Sequence, residues 1–151
     1  MTPQLQNCKL DRITKVSLFK NGPIFKQQKM ILADDEPYNI EVVIGLIKIL
    51  GMRDVEKLIY VSNDGTETVD LVQKAIDEGD PFRYSLIITD CSMPEMDGYD
   101  STKAIREMLR YQEADEDQLS LKIVALTGHV EEEFIKKAYA SGIDEVLSKP
   151  I

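Results

Sequence analysis

The chain predicts an α/β fold: a doubly wound sheet of five parallel strands with helices on both faces. Three observations predict it. From Lys29 onward, short apolar runs alternate with longer stretches of helical spacing, the pattern of strand–helix–strand crossovers in a parallel sheet. The runs are near-continuously apolar, as strands buried on both faces are. The 151 residues suffice for one sizeable core and not for two.

The elements follow in order. Met30 to Ala33 is the first strand, and acids follow it at once. Pro37 suits a first helical turn, and Ile40, Val43, Ile44, Ile47 and Leu50 continue at helical spacing until Gly51 caps the end. Leu58–Val61 is the second strand. Asn63-Asp64-Gly65 turns into a second helix carrying Val69, Val72, Ala75 and Ile76, which Gly79-Asp80-Pro81 stops. Leu86-Ile87-Ile88 is a third strand ending at Asp90. The loop from Met93-Pro94 to Gly98 leads into a third helix with Ile105, Met108 and Leu109. Ile123–Leu126 is the fourth strand. A fourth helix carries Val130, Phe134, Ile135 and Ala138 with Gly142 as its cap, and Val146-Leu147 is the fifth strand. A fifth helix is expected after it and is missing: either the chain is cut short, or the N-terminal segment or a second copy in a homodimer covers the sheet beside the first helix.

Charge divides the chain. Residues 1–29 carry six basic side chains and one acidic, whereas the remainder carries 12 basic and 26 acidic. Residues 1–28 therefore read as a basic extension or linker, with Leu10, Ile13, Val16 and Phe19 hinting at a short amphipathic helix, and residues 29–151 as the domain. A net charge of −9 argues against nucleic-acid binding, which needs a basic face. No apolar run reaches the ~20 residues that span a bilayer, and the first residues lack a secretory pattern. Cys8 and Cys91 are far apart without metal-like spacing, so a reducing, cytoplasmic setting is expected. Glu113–Asp117 reads as a solvated loop.

Ligands of an open parallel sheet sit outside the carboxyl ends of its strands. The segments above deliver Asp34 and Asp35 after the first strand, Asp90 after the third, Thr127 after the fourth and Lys149 after the fifth. Two carboxylates ~4 Å apart repel by roughly 4 kcal/mol at an effective dielectric of 20. Three such groups need cations. Lys149 supplies one, and an all-oxygen site with few protein ligands suits Mg2+ for the rest. An aspartate beside such a cation can attack phosphorus and form an acyl phosphate. Thr127 would then donate to one phosphoryl oxygen and Lys149 would pair with another.

The segments ILADDEP, SLIITDCSMPEMDG, VALTGH and LSKP, in this order and each at a predicted strand end, resemble the response-regulator receiver family over about residues 29–151. MPEMDGYDSTKAIRE, together with Asn39 in the first helix, is similar to receivers attached to hybrid histidine kinases. The resemblance implies a flavodoxin-like strand order 2-1-3-4-5. It implies Asp90 as phosphoacceptor, assisted by Thr127 and Lys149. It further implies Mg2+ held by Asp35, Asp90 and the backbone carbonyl of Ser92, with Asp34 acting through water. The phosphoryl donor would be a phosphohistidine on a histidine kinase or a histidine phosphotransfer protein. The Lys149–Pro150 bond is often cis in this family. One departure stands out: Val146 sits where the family often carries an aromatic residue, so gating by an inward-turning ring is not expected.

Other residues have plainer readings. Glu36 caps the helix at Pro37, and Thr127 has an alternative as a helix N-cap. His129, the sole histidine, belongs at the rim of the site, where it tunes water access; the donor histidine must lie elsewhere. Cys91 is a packed side chain, Ser92 borders the acyl phosphate, and Met93 and Met96 pack the loop. Asp97-Gly98 is a turn, and Asp64-Gly65 lacks the alternating acids of a calcium loop. Two other functions compete. A phosphatase of the haloacid dehalogenase class would also pass through an aspartyl phosphate, but it wants an acid two residues after the nucleophile, where Ser92 stands. A receiver-like module that binds Mg2+ without phosphorylation is the other.

Overall fold

A computed structural model describes residues 29–112 and 121–149. The N-terminal extension with its amphipathic segment, the Glu113–Asp117 stretch and the Lys149–Pro150 bond lie outside the described residues. Five strands form one sheet: β1 (Lys29–Ala33), β2 (Ile59–Ser62), β3 (Tyr84–Thr89), β4 (Lys122–Thr127) and β5 (Glu145–Ser148). Their order is β2-β1-β3-β4-β5 and every pairing is parallel. The helices are α1 (Pro37–Ile49), α2 (Val55–Leu58), α3 (Gly65–Asp77), α4 (Gly98–Arg110) and α5 (Glu132–Ser141).

Alternate strand residues face opposite sides of the sheet, and each side has its own core. Ile31, Ile87 and Ile123 are fully buried against Val72 and Ala75 of α3, Ile105 of α4 and Ala138 of α5. Met30, Leu32, Leu86, Val124 and Leu126 pack against Ile40, Val43 and Ile47 of α1 and Val55 of α2. Truncating a side chain as central as Ile87 to alanine costs about 2–5 kcal/mol. These two layers hold the carboxyl ends of the strands along one edge of the sheet.

Local chemistry sets the helix ends. α1 starts at Pro37 and closes through Gly51, whose φ of 95° is left-handed. There the Gly51 N–H donates to the Lys48 carbonyl and the Met52 N–H to that of Ile47, at 3.0 and 3.3 Å, which satisfies two orphan carbonyls. Asp64 and Asp97 cap α3 and α4 by accepting from the N–H groups of Glu67 and Asp100. Gly142, with φ 103°, ends α5.

Two expectations need correction. Leu58 belongs to the short helix α2, not to the second strand, which runs from Ile59 to Ser62; Asp54, held left-handed at φ 57°, starts that extra turn. Val130 lies outside α5 and is exposed, because the helix begins only after Glu131. The fifth helix present is α2, inserted before β2, and among the described residues no helix follows β5. The sheet beside α1 is nevertheless largely covered: Val124 and Leu126 are buried and β5 is half-buried along its length. Among the described residues no helix is long and apolar enough to cross a membrane.

Candidate functional site

Backbone hydrogen bonds running past the strand ends set the positions of the candidate side chains. The Asp34 N–H donates to the Ser62 carbonyl at 3.1 Å, that of Asp90 to Ala33 at 2.8 Å, and that of Lys149 to Thr127 at 2.8 Å. The sheet thus continues for one more rung at the edge where the polar residues begin. Asp34, Asp35 and Asp90 each bring one carboxylate oxygen to within 4.8 Å of the others. Lys149 bridges two of them, its Nζ lying 2.9 Å from Asp34 Oδ2 and 3.0 Å from Asp90 Oδ2.

These groups are differently exposed. Asp34 is 6% exposed and Asp90 9%, whereas Asp35 stands in solvent. Burial opposes the charge on Lys149, but its hydrogen bonds to Asp34 and Asp90 outweigh that cost and hold its pKa above the ordinary lysine value. One ammonium therefore faces three carboxylates. An oxygen-only donor set, with one ligand open to water and surplus negative charge, fits a hard divalent cation of the Mg2+ type.

Thr127 closes β4 and is buried, and its Oγ1 accepts from the His129 N–H at 3.1 Å. It does not cap α5, whose N-cap is Glu131. His129 is exposed, with its ring 5.0 Å from that of Phe134. The Ser92 N–H donates to Asp90 Oδ1 at 3.2 Å, which turns the loop back over the aspartate. Cys91 is buried; desolvation pushes its thiol pKa up, and hydrogen bonds with Tyr99 and Thr127 offset this only in part. It is a packed thiol beside the site and not a thiolate. Glu36 occupies the N-cap position of α1 but makes no side-chain cap. Its N–H instead donates to Asp34 Oδ1 at 2.9 Å, so the turn is closed by the aspartate.

Close backbone approach went unseen in the sequence. A Cβ on Gly98 would overlap the Asp90 carbonyl oxygen, and the Gly98 N–H donates to the Cys91 carbonyl at 3.1 Å. On the other flank of the loop, the Gly65 N–H donates to the Met96 carbonyl at 2.8 Å, and a Cβ there would lie 2.5 Å from that oxygen. Glycine is required at both positions because two backbones meet there, and the only signal was the Asp-Gly pair at each helix start.

The response regulator receiver domain family matches residues 30–151. The chain belongs to that family. Among its relatives is the osmosensing histidine protein kinase SLN1 of Saccharomyces cerevisiae, 33% identical over 82% of this chain and 9% of the relative. The sensor protein GacS of Pseudomonas syringae is 32% identical over 82% of this chain and 12% of its own length. The chain thus spans about a tenth of the curated relatives it matches. The crystal structure of the receiver domain of histidine kinase CKI1 from Arabidopsis thaliana, complexed with Mg2+, is similar at a TM-score of 0.64 and 26% identity, covering 80% of this chain and 82% of that one. The receiver domain of sensor histidine kinase PA1611 from Pseudomonas aeruginosa, with magnesium coordinated in its active site cleft, has a TM-score of 0.60 and 27% identity over 82% of this chain and 86% of that one.

Proposed function

We propose that this receiver accepts a phosphoryl group on Asp90 from a phosphohistidine and releases it later by hydrolysis, as a switch in a His-Asp phosphorelay. The observation that carries the reading is Lys149 bridging Asp34 and Asp90 while Asp35 stands beside them in water. In the transfer, an Asp90 carboxylate oxygen attacks phosphorus and the phosphorus–nitrogen bond of the donor breaks. The bonding pair returns to the imidazole, and Asp90 becomes an acyl phosphate. Lys149 leaves its pair with Asp90 and takes a phosphoryl oxygen, and the Thr127 hydroxyl donates to another. Hydrolysis then breaks the phosphorus–oxygen bond to give inorganic phosphate and restores the carboxylate.

Asp35, Asp90 and the Ser92 carbonyl would hold Mg2+, with Asp34 acting through water. Bound there, the ion neutralises charge on the acids and on the incoming phosphoryl oxygens. The donor is a histidine kinase or a histidine phosphotransfer protein. That reading of the donor is supported by a receiver domain of the same fold, that of Ssk1, which was co-crystallised with the yeast histidine phosphotransfer protein Ypd1. We infer that the chain is part of a hybrid histidine kinase and lies in the cytoplasm, a reading that its similarity to such kinases supports. A histidine phosphotransfer protein carrying radiolabelled phosphohistidine tests the donor class. Transfer of label to the wild-type chain but not to Asp90→Asn is expected; label that stays on the donor in Mg2+ counts against it.

A further inference from the structure

We propose that Asn39 is a positioning residue for the cation site, acting through Asp34; the inference rests on the receiver reading above. Asn39 lies in the first turn of α1, and its Nδ2 is 3.4 Å from Asp34 Oδ1. Only the nitrogen end of the amide can donate to a carboxylate, which fixes how the side chain is oriented. The same Oδ1 accepts the Glu36 N–H at 2.9 Å, while Oδ2 takes Lys149 at 2.9 Å. Each Asp34 oxygen is thereby assigned: one to the start of α1, the other to the lysine.

A third residue of a helix commonly reaches back to its N-cap. Here it reaches past Glu36 to the aspartate. A second observation places it in the site: Asp34, Asn39 and Asp90 border one small cavity under the acids, about 10 Å3, otherwise walled by apolar side chains of α1 and the sheet. That volume is about one water's worth. An acid at position 39 would add a fourth negative charge to the cluster, and an apolar residue would leave Oδ1 with only its backbone donor. Asparagine supplies a donor without charge. Asp34 is thereby fixed in orientation beside Asp35 and Asp90, the two side chains assigned above to direct contact with the cation.

Partners that orient metal ligands typically change metal affinity by about 10–100-fold when removed. The test is the Mg2+ dependence of labelling by acetyl phosphate in Asn39→Ala, with Ile49→Ala on the exposed face of the same helix as control. The expected result is a roughly tenfold rise in half-saturating Mg2+, with the rate at saturating Mg2+ nearly unchanged and Ile49→Ala like wild type. A calorimetric Mg2+ titration should show the same shift. If Asn39→Ala does not fold, Asn39→Ser, too short to reach Asp34, is read the same way. A half-saturating Mg2+ equal to that of wild type overturns the inference, as does a loss that no amount of Mg2+ restores. Wild-type protein that takes no phosphate in Mg2+ would overturn the receiver reading itself, and is distinguished because the control fails too.

Discussion

At the amino ends of β4 and β5, Arg106 fastens three segments. Its Nε donates to the Gly142 carbonyl at 3.0 Å, Nη1 to the Leu121 carbonyl at 2.9 Å and Nη2 to Asp144 Oδ2 at 2.6 Å. The same Asp144 oxygen accepts the Ile123 N–H at 2.8 Å. At the carboxyl ends of those two strands, Lys149 reaches two carboxylates while a third stands open to water. One charge answers one charge in the first cluster, and the guanidinium's remaining donors meet carbonyls. In the second, negative charge exceeds positive. A balanced cluster fastens a fold; an unbalanced one calls for an ion and then for chemistry.

That contrast can be broken from either end. The largest effect on stability is expected for Arg106→Ala, which strips charged hydrogen bonds from two carbonyls and Asp144. A loss of about 2–3 kcal/mol in urea unfolding is expected, with phosphate uptake on Asp90 preserved below the unfolding transition. Gly98→Ala should cost both stability and phosphate uptake. The new methyl meets the Asp90 carbonyl, which predicts a cost of about 1–3 kcal/mol and slower labelling, read by urea titration and mass.

Asp35→Asn should act on the unbalanced end alone. Mg2+ binding should weaken by about tenfold or more, since a group proposed as a direct ligand should matter at least as much as its supports. Unfolding in chelator stays unchanged or shifts slightly toward greater stability. The smallest effect is a pH slope. The folded-state pKa of Lys149 is raised by its carboxylate partners, so its stabilising contribution is complete below the ordinary lysine pKa and is lost as pH rises through the higher folded value. Stability in chelator should therefore fall at alkaline pH, and Lys149→Met should flatten that part of the curve.

How far the site could be read from sequence follows from what positions each residue. The meeting of Asp34, Asp35, Asp90 and Lys149 was legible because strand ends in a parallel sheet lie on one edge, and Thr127 ends β4 at that edge. Asn39 was noticed only as a family feature, because its reach to Asp34 depends on how α1 enters after Pro37. Gly98 looked like an ordinary turn glycine; the contact that requires it, with the Asp90 carbonyl, involves two backbones that no periodicity reveals. Glu36 was placed correctly at the start of α1 but given the wrong job, since Asp34 rather than its own side chain closes that turn. The helical turn Val55–Leu58 was hidden because four residues are too few for a periodic signal.

On the reading proposed above, surplus charge at the carboxyl edge suits Asp90 to accept a phosphoryl group. Incubation with acetyl phosphate and Mg2+, followed by intact mass, tests it most directly. A gain of one phosphate that disappears in Asp90→Asn and in chelator is expected. An unmodified wild-type mass, or a phosphate that persists in Asp90→Asn, would contradict it.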